Sequence, residues 1–519
     1  YMYEPPMRKE EFESTIDELV GTPIEAVMFC LGDGRTVMHD SSAGELWGHN
    51  VEKWDHVIFR RAHQNIKSLI EEDNDPLRII CDRAHAKDML LYPTLLAQLP
   101  SGVRGGPGYD IRSSDFRLDN PQLEIGASEN ISQNYPGLHC ADFKHQEVRD
   151  ERFGIINEVL NNYPVDGFEL QLNFWPYYFH PKEIDEGTKT MTNWMEDIYH
   201  SVKQGHPDRE FVVTIPADMD VCLSRGLDIR EWLRRGIVDV LVGQPLQRPD
   251  LMDPNGAFLT YDAETLANLR SLVKATSNTD CRVHATVNNS IDSDRLSNAP
   301  IEMIRAAAGN FWEQGIDGMY VNWFGSWPYQ SEFYESLREL PHPDIMAPKD
   351  KHYHVPTAMG IDPEGKLAKQ LPADLVVGSP VPIDLTINDD LLLWDDAARV
   401  HEVILRFRIT SATELDEFGF KLNGMDLPSN LMRKINSMYA MSSPRYRVFG
   451  QWFIFRLDKT HWPVKGSNTL EISILSRDPV TTPTPSLRDV ELETKYLLGK
   501  SFHRDFIDAD LGPYESRTR

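Results

Sequence analysis

A chain of 519 residues exceeds what one compact core holds, so at least two domains are expected. With 80 acidic residues against 53 basic ones the net charge is −27, which argues against nucleic acid and anionic membranes as partners. The 41% hydrophobic and 26% charged fractions are those of an ordinary globular protein, and no apolar run reaches the ~18 residues that a bilayer span needs.

Five cysteines (Cys30, Cys81, Cys140, Cys222 and Cys281) are scattered without a CxxC pair or a zinc spacing. They read as isolated buried thiols. His39, His85, His145, His180 and His284 form no metal-binding pattern, so neither a metal nor another cofactor is expected. No phosphate loop or nucleophile elbow occurs. The chain opens on Tyr1, as a trimmed or processed chain would. Two N-x-S matches, at Asn130 and Asn288, are weak signals.

In chain order, 24–31 reads as a first buried strand, and Gly32-Asp33-Gly34 as the loop after it. Helical spacing follows over 51–70, and Asp75-Pro76 opens a further helix to about 87. A second strand is predicted over 89–96. The Gly-, Ser- and Asn-rich stretch 99–140 is then a long loop of the kind that usually carries function. From there the alternation is regular. Helices are predicted over 146–161, 190–203, 228–235, 262–276, 299–314 and 331–339, and strands over 165–175, 210–216, 238–243, 282–287 and 317–323. Short apolar strands alternating with helices point to parallel βαβ units. A local repeat supports this: Val165-Asp166-Gly167 recurs as Ile316-Asp317-Gly318 and, more weakly, as Val238-Asp239. No G-x-G-x-x-G follows the first strand, which disfavours a dinucleotide-binding open sheet.

Near 341–348 prolines cluster and helical periodicity stops. Alternating runs follow at 403–409, 418–422, 452–457 and 469–474, with Asn423-Gly424 as a tight-turn signal. These predict an antiparallel β-sandwich over 346–519, after a (β/α)8 barrel over 1–345.

The strand at 165–175 has two faces. Phe168, Leu170 and Leu172 lie on one, while Glu169, Gln171 and Asn173 lie on the other. Polar side chains facing into a barrel toward the carboxyl ends of its strands are how such folds build a site. The chain here resembles the glycoside-hydrolase-like (β/α)8 proteins with a carboxy-terminal β-sandwich. The resemblance rests on Asp142-Phe143 with Val148-Arg149, on Asp166-Gly167-Phe168-Glu169-Leu170, on Leu422-Asn423-Gly424 and on Val490-Glu491-Leu492. The strand is also similar to the chitinase-type D-G-x-D-x-D-x-E pattern, from which Gln171 and Asn173 depart.

That resemblance implies an extracellular enzyme hydrolysing a glycosidic bond in a poly- or oligosaccharide, which takes two carboxyl groups. Glu169 is the first candidate and is expected to emerge at the barrel's mouth. Gln171, isosteric with Glu, stands where a partner acid would, and Asp218 and Asp142 are the alternatives. Against these roles stand a structural carboxylate at 169, a loop cap at 218 and a structural acid at 142. Aromatic platforms for the sugar are Trp175, Tyr177, Tyr178, Trp323 and Trp327, with Asn173, Gln244, Asn288 and Asn322 as amide partners for hydroxyls. The missing acids at 171 and 173 keep a non-catalytic glycan-binding barrel open. A polysaccharide lyase using Tyr or His as base is the third reading.

Overall fold

A computed structural model describes residues 3–32, 36–54, 56–102, 113–128, 130–245, 258–291, 293, 296, 298–322, 331–357, 370–436, 450–499, 507–508 and 512–513. Seven parallel strands follow one another in sheet order exactly as in the chain: β1 (Ala26–Gly32), β2 (Leu90–Leu96), β3 (Gly167–Gln171), β4 (Glu210–Pro216), β5 (Val240–Gln244), β6 (Arg282–Asn288) and β7 (Gly318–Asn322). Helices connect them, among them Pro76–His85, Gln146–Asn162, Ile184–Lys203 and Ile229–Arg235. Consecutive parallel neighbours joined by helices are the order of a (β/α) barrel.

The eight strands implied by the resemblance are seven among the described residues. The stretch between β2 and β3 is long enough for another unit, yet it has no apolar run of strand length. Ahead of the helix Gln146–Asn162, its described residues form the short helix Asp115–Asp119 and two single turns, Pro121–Leu123 and Ile125–Ala127.

The sheet curls. Met28 of β1 and Tyr320 of β7 pack on the same cluster as Val212 of β4 and Val240 and Val242 of β5. In a flat sheet of this order β1 and β7 would be the two far edges, so their meeting over the middle strands requires one face to turn inward. The opposite face carries Phe168, Leu170 and Leu172, all fully buried.

The remaining strands are antiparallel: β8 (Lys351–His354), β9 (Ala373–Asp374), β10 (Val381–Ile387), β11 (Val400–Thr410), β12 (Glu417–Leu422), β13 (Met425–Asp426), β14 (Met432–Asn436), β15 (Gln451–Arg456), β16 (Gly466–Ser476) and β17 (Ser486–Tyr496). One sheet runs β14-β15-β11-β17-β8 with β9 also on β17, and the other runs β10-β16-β12-β13. Their faces meet through phenylalanines, Phe407 lying 4.8 Å from Phe420 and Phe420 lying 5.0 Å from Phe453. This is a sandwich. Asn423 and Gly424 both have positive φ (51° and 80°), the type I′ geometry expected of an Asn-Gly hairpin, and they join β12 to β13.

By contact the chain forms two compact units. The first comprises Tyr1–Ala257, Asn268–Thr286 and Gly315–Phe324; the second comprises Phe258–Ala267, Val287–Gln314 and Gly325–Arg519. No helix among the described residues is long and apolar enough to cross a membrane.

Candidate functional site

The inward side chains of the parallel sheet stack in layers, because alternate residues of each strand face the same way. At the amino ends of the strands Tyr92 donates to Glu210 Oε2 at 2.9 Å, and Arg282 pairs with the other oxygen of that carboxylate. Gly167 leaves room for them: a Cβ there would lie 2.2 Å from the Tyr92 ring. His284 lies over Gly318 in the same way, and burial lowers its pKa to about 4, so its imidazole is neutral at physiological pH.

One layer up stands Glu169, with no part of it exposed. Four neutral groups surround its carboxyl. Thr94 Oγ1 at 2.5 Å and the Tyr320 hydroxyl at 3.0 Å donate to Oε2, while Thr214 Oγ1 at 2.6 Å and Gln171 Nε2 at 3.2 Å donate to Oε1. An ionised carboxylate has about four lone-pair directions, and all are taken. Burial pushes the Glu169 pKa above the usual carboxylate range, against the pull of the four hydrogen bonds. Tyr320 is raised well above the phenol value, by burial first and by the neighbouring Glu169 charge second.

The structure therefore brings Glu169 and Gln171 together, but it corrects the expectation that Glu169 emerges at the mouth. The period-two pattern gives a residue's face; its depth depends on how the neighbouring strands are staggered. Gln171 is half-buried above Glu169 and also donates to the Tyr320 oxygen at 3.3 Å. Higher still, Asn173 Nδ2 donates to Gln244 Oε1, and Asn173 Oδ1 is enclosed without a partner among the described residues. Asn322 ends β7, half-buried. Asn288 ends β6, is 2% exposed and also has an unpartnered Oδ1.

The other two carboxylates have structural partners. Asp218 caps the helix Met219–Leu223, accepting from the N–H groups of Asp220 (2.8 Å) and Val221 (3.2 Å). Asp142 is fully buried, accepts from the Lys144 backbone N–H and lies 3.2 Å from the Lys144 ammonium; burial raises its pKa. No hydrogen bond or ion pair links either of them to Glu169 among the described residues.

The aromatics divide. Tyr178 is fully buried and donates to the Leu172 carbonyl at 2.9 Å, so it is a packing residue and offers no platform. Tyr177 is largely buried, with the Arg225 guanidinium 4.6 Å over its ring. Trp175 is half-buried between Leu96, Leu99 and Phe174 on one side and Ile125, Cys140 and Tyr177 on the other. Its φ of +49° is a strained conformation for so large a residue. Trp323 and Trp327 lie outside the described residues.

Sequence reasoning passed over Thr94, Thr214 and Tyr320. A signal for Tyr320 existed: in the repeat, Asp317-Gly318-Met319-Tyr320 matches Asp166-Gly167-Phe168-Glu169 position for position.

No family model matches the chain, and no curated protein matches it. Solved structures similar to it include the α-L-fucosidase isoenzyme 2 from Paenibacillus thiaminolyticus, at 12% identity over 66% of this chain and 46% of that one, with a TM-score of 0.40. The glycoside hydrolase domain of PgaB (BpsB) from Bordetella bronchiseptica matches at 12% identity over 66% of this chain and 95% of that domain, with a TM-score of 0.40. A cycloisomaltooligosaccharide glucanotransferase from Paenibacillus sp. matches at 10% identity over 94% of this chain, with a TM-score of 0.35, and the chain spans 56% of its length.

Proposed function

We propose that this protein is a glycoside hydrolase acting on a poly- or oligosaccharide at the carboxyl-end layer of its barrel. The observation that carries the reading is the combination at its centre. A fully buried carboxyl (Glu169), with no cationic partner among the described residues, lies directly beneath the amides Gln171, Asn173 and Gln244. A carboxyl held by neutral donors in a buried site stays protonated to higher pH than an exposed one, which is what a general acid needs. Amides above it suit sugar hydroxyls, and the unpartnered Asn173 Oδ1 leaves one acceptor for them. In this reading Glu169 supplies the proton for the leaving oxygen, and Asp218, just beyond the end of β4, is the candidate for the second carboxylate role.

A second reading, glycan binding without cleavage, is favoured by one observation. The inward positions above Glu169 on its own strand are amides, and the helix cap occupies Asp218. One experiment separates the two: reducing-end release from a panel of neutral oligosaccharides, with binding to the same panel followed by calorimetry. Cleavage lost in Glu169→Gln supports the hydrolase. Binding without cleavage in both wild type and Gln171→Glu supports the lectin-like reading, and neither binding nor cleavage sinks both.

A further inference from the structure

We propose that Tyr320 is the group through which the enclosed Glu169 carboxyl passes its proton to the glycosidic oxygen, so that the acid of this site is a carboxyl–phenol pair spanning β3 and β7. The proposal rests on the hydrolytic reading above and deepens it.

The argument is one of outlets. Glu169 has no exposed surface, so its proton reaches a substrate through a hydrogen-bond partner, of which the described residues supply four. Thr94 and Thr214 are each 2% exposed and lead nowhere. Gln171 is half-buried, but an amide nitrogen neither gives up nor takes a proton at ordinary pH. Tyr320 remains. It is half-buried, its hydroxyl donates to Glu169 Oε2 at 3.0 Å, and its oxygen receives Gln171 Nε2 at 3.3 Å. A phenol is both donor and acceptor, so it alone of the two half-buried partners passes a proton on.

Gln171 takes on a positioning role. By donating to Glu169 Oε1 and to the Tyr320 oxygen together, it fixes the distance between the pair.

The transfer balances. With the carboxyl ionised, Tyr320 donates to it; with the carboxyl protonated, the hydrogen bond reverses and the phenolic hydrogen is released toward the lumen. The carboxyl proton then passes to the phenolic oxygen as the phenolic proton passes to the glycosidic oxygen, and the bond from that oxygen to the anomeric carbon breaks. Glu169 is left as carboxylate, Tyr320 as neutral phenol, and the departing alcohol keeps the proton. Water adds its hydroxyl to the anomeric carbon and releases one proton to solvent, and Glu169 recovers a proton from solvent through Tyr320.

The test compares 4-nitrophenyl and methyl glycosides of one sugar that the wild type cleaves. Nitrophenolate departs without protonation, whereas methanol needs an acid. Tyr320→Phe, confirmed as folded by circular dichroism and its melting temperature, is expected to lose on the order of 100-fold or more on the methyl glycoside, while cleavage of the nitrophenyl glycoside is little changed. Infrared spectroscopy supplies a readout independent of turnover: the protonated-carboxyl band that Glu169→Gln removes is expected to shift in Tyr320→Phe. Equal losses on both substrates, no loss on either, or an unshifted band overturn this proposal and leave the hydrolase standing. A wild type silent on every glycoside overturns the hydrolytic reading and this proposal with it.

Discussion

Glu169 shows how far one strand's sequence carries. Its inward orientation follows from the alternation Phe168, Glu169, Leu170, Gln171, which the structure matches with buried apolar residues on one face. Its depth was not legible, because the three hydroxyls that enclose it come from β2, β4 and β7, whose stagger a single strand does not encode. The enclosure has a consequence for stability. A carboxyl whose folded-state pKa is raised binds its proton more tightly when folded. Its contribution is therefore intact below the unfolded pKa of about 4.3 and is lost as pH rises through the higher folded value. Glu169→Gln removes that titration while keeping the shape. The wild type is thus expected to lose melting temperature relative to Glu169→Gln as pH climbs above about 4.3, with the gap levelling off once the buried carboxyl is ionised. A gap that stays constant between acid and neutral pH would show that Glu169 does not titrate differently on folding.

At the scale of elements, the repeat seen in the sequence has a structural cause that its acidic residues disclose. Asp166, Asp239 and Asp317 each precede a strand and each accept from the first free backbone N–H of the strand before it: Leu91 at 2.8 Å, Phe211 at 2.7 Å and Val283 at 2.8 Å. Each also returns its own N–H to that residue's carbonyl, at 3.0, 3.0 and 2.8 Å. These acids therefore set the register between β2 and β3, β4 and β5, and β6 and β7, and the sequence likeness of Asp166 to a catalytic pattern is explained by strand pairing. Strand and helix existence was legible from apolar periodicity, as with β4, predicted and found over Glu210–Pro216. The glycine after Asp166 has a second duty that periodicity does not show. A methyl at Gly167 would meet Tyr92 Cε1 at 2.2 Å and the Glu210 carbonyl oxygen at 2.4 Å, and the backbone oxygen has nowhere to go. Gly167→Ala is expected to cost about 1–3 kcal/mol or more by overpacking, read as a lower urea midpoint with an unchanged slope. A variant as stable as wild type would mean that β3 shifts freely at its amino end, which the register described above forbids.

At the scale of the whole molecule, the two compact units are not two successive lengths of chain. The second unit claims 287–314 and 258–267 as well as everything after 325. The sequence showed the change of pattern near 345 because periodicity switches there from 3.6 to 2; it had no means of showing that a helix on one side of the switch packs with strands on the other. The helix Ile301–Trp312 is that case. Ten of its residues, Ile301 and Met303–Phe311, are buried, and Asn310 Nδ2 donates to the Thr386 carbonyl at 3.3 Å. Gly309 faces Asn388 so closely that a Cβ would lie 2.0 Å from its Nδ2. Arg305 is paired with Glu339 at 2.6 Å; burial alone would raise the pKa of that carboxyl, but Arg305 and Lys349 outweigh it and hold the carboxyl below its ordinary value. A fragment ending at 345 keeps the helix and the Arg305–Glu339 pair but removes Thr386, Asn388 and the strand β8 against which the helix packs. A helix apolar on most of its circumference is stable only when covered, and uncovering side chains of this size forfeits about 1.5–3 kcal/mol each for the larger ones. The 1–345 fragment is therefore expected to aggregate or to melt without a cooperative transition, whereas the full chain is expected to unfold in urea with a defined midpoint. A soluble fragment with a sharp transition at the midpoint of the full chain would show instead that the helix finds sufficient cover within the first 345 residues.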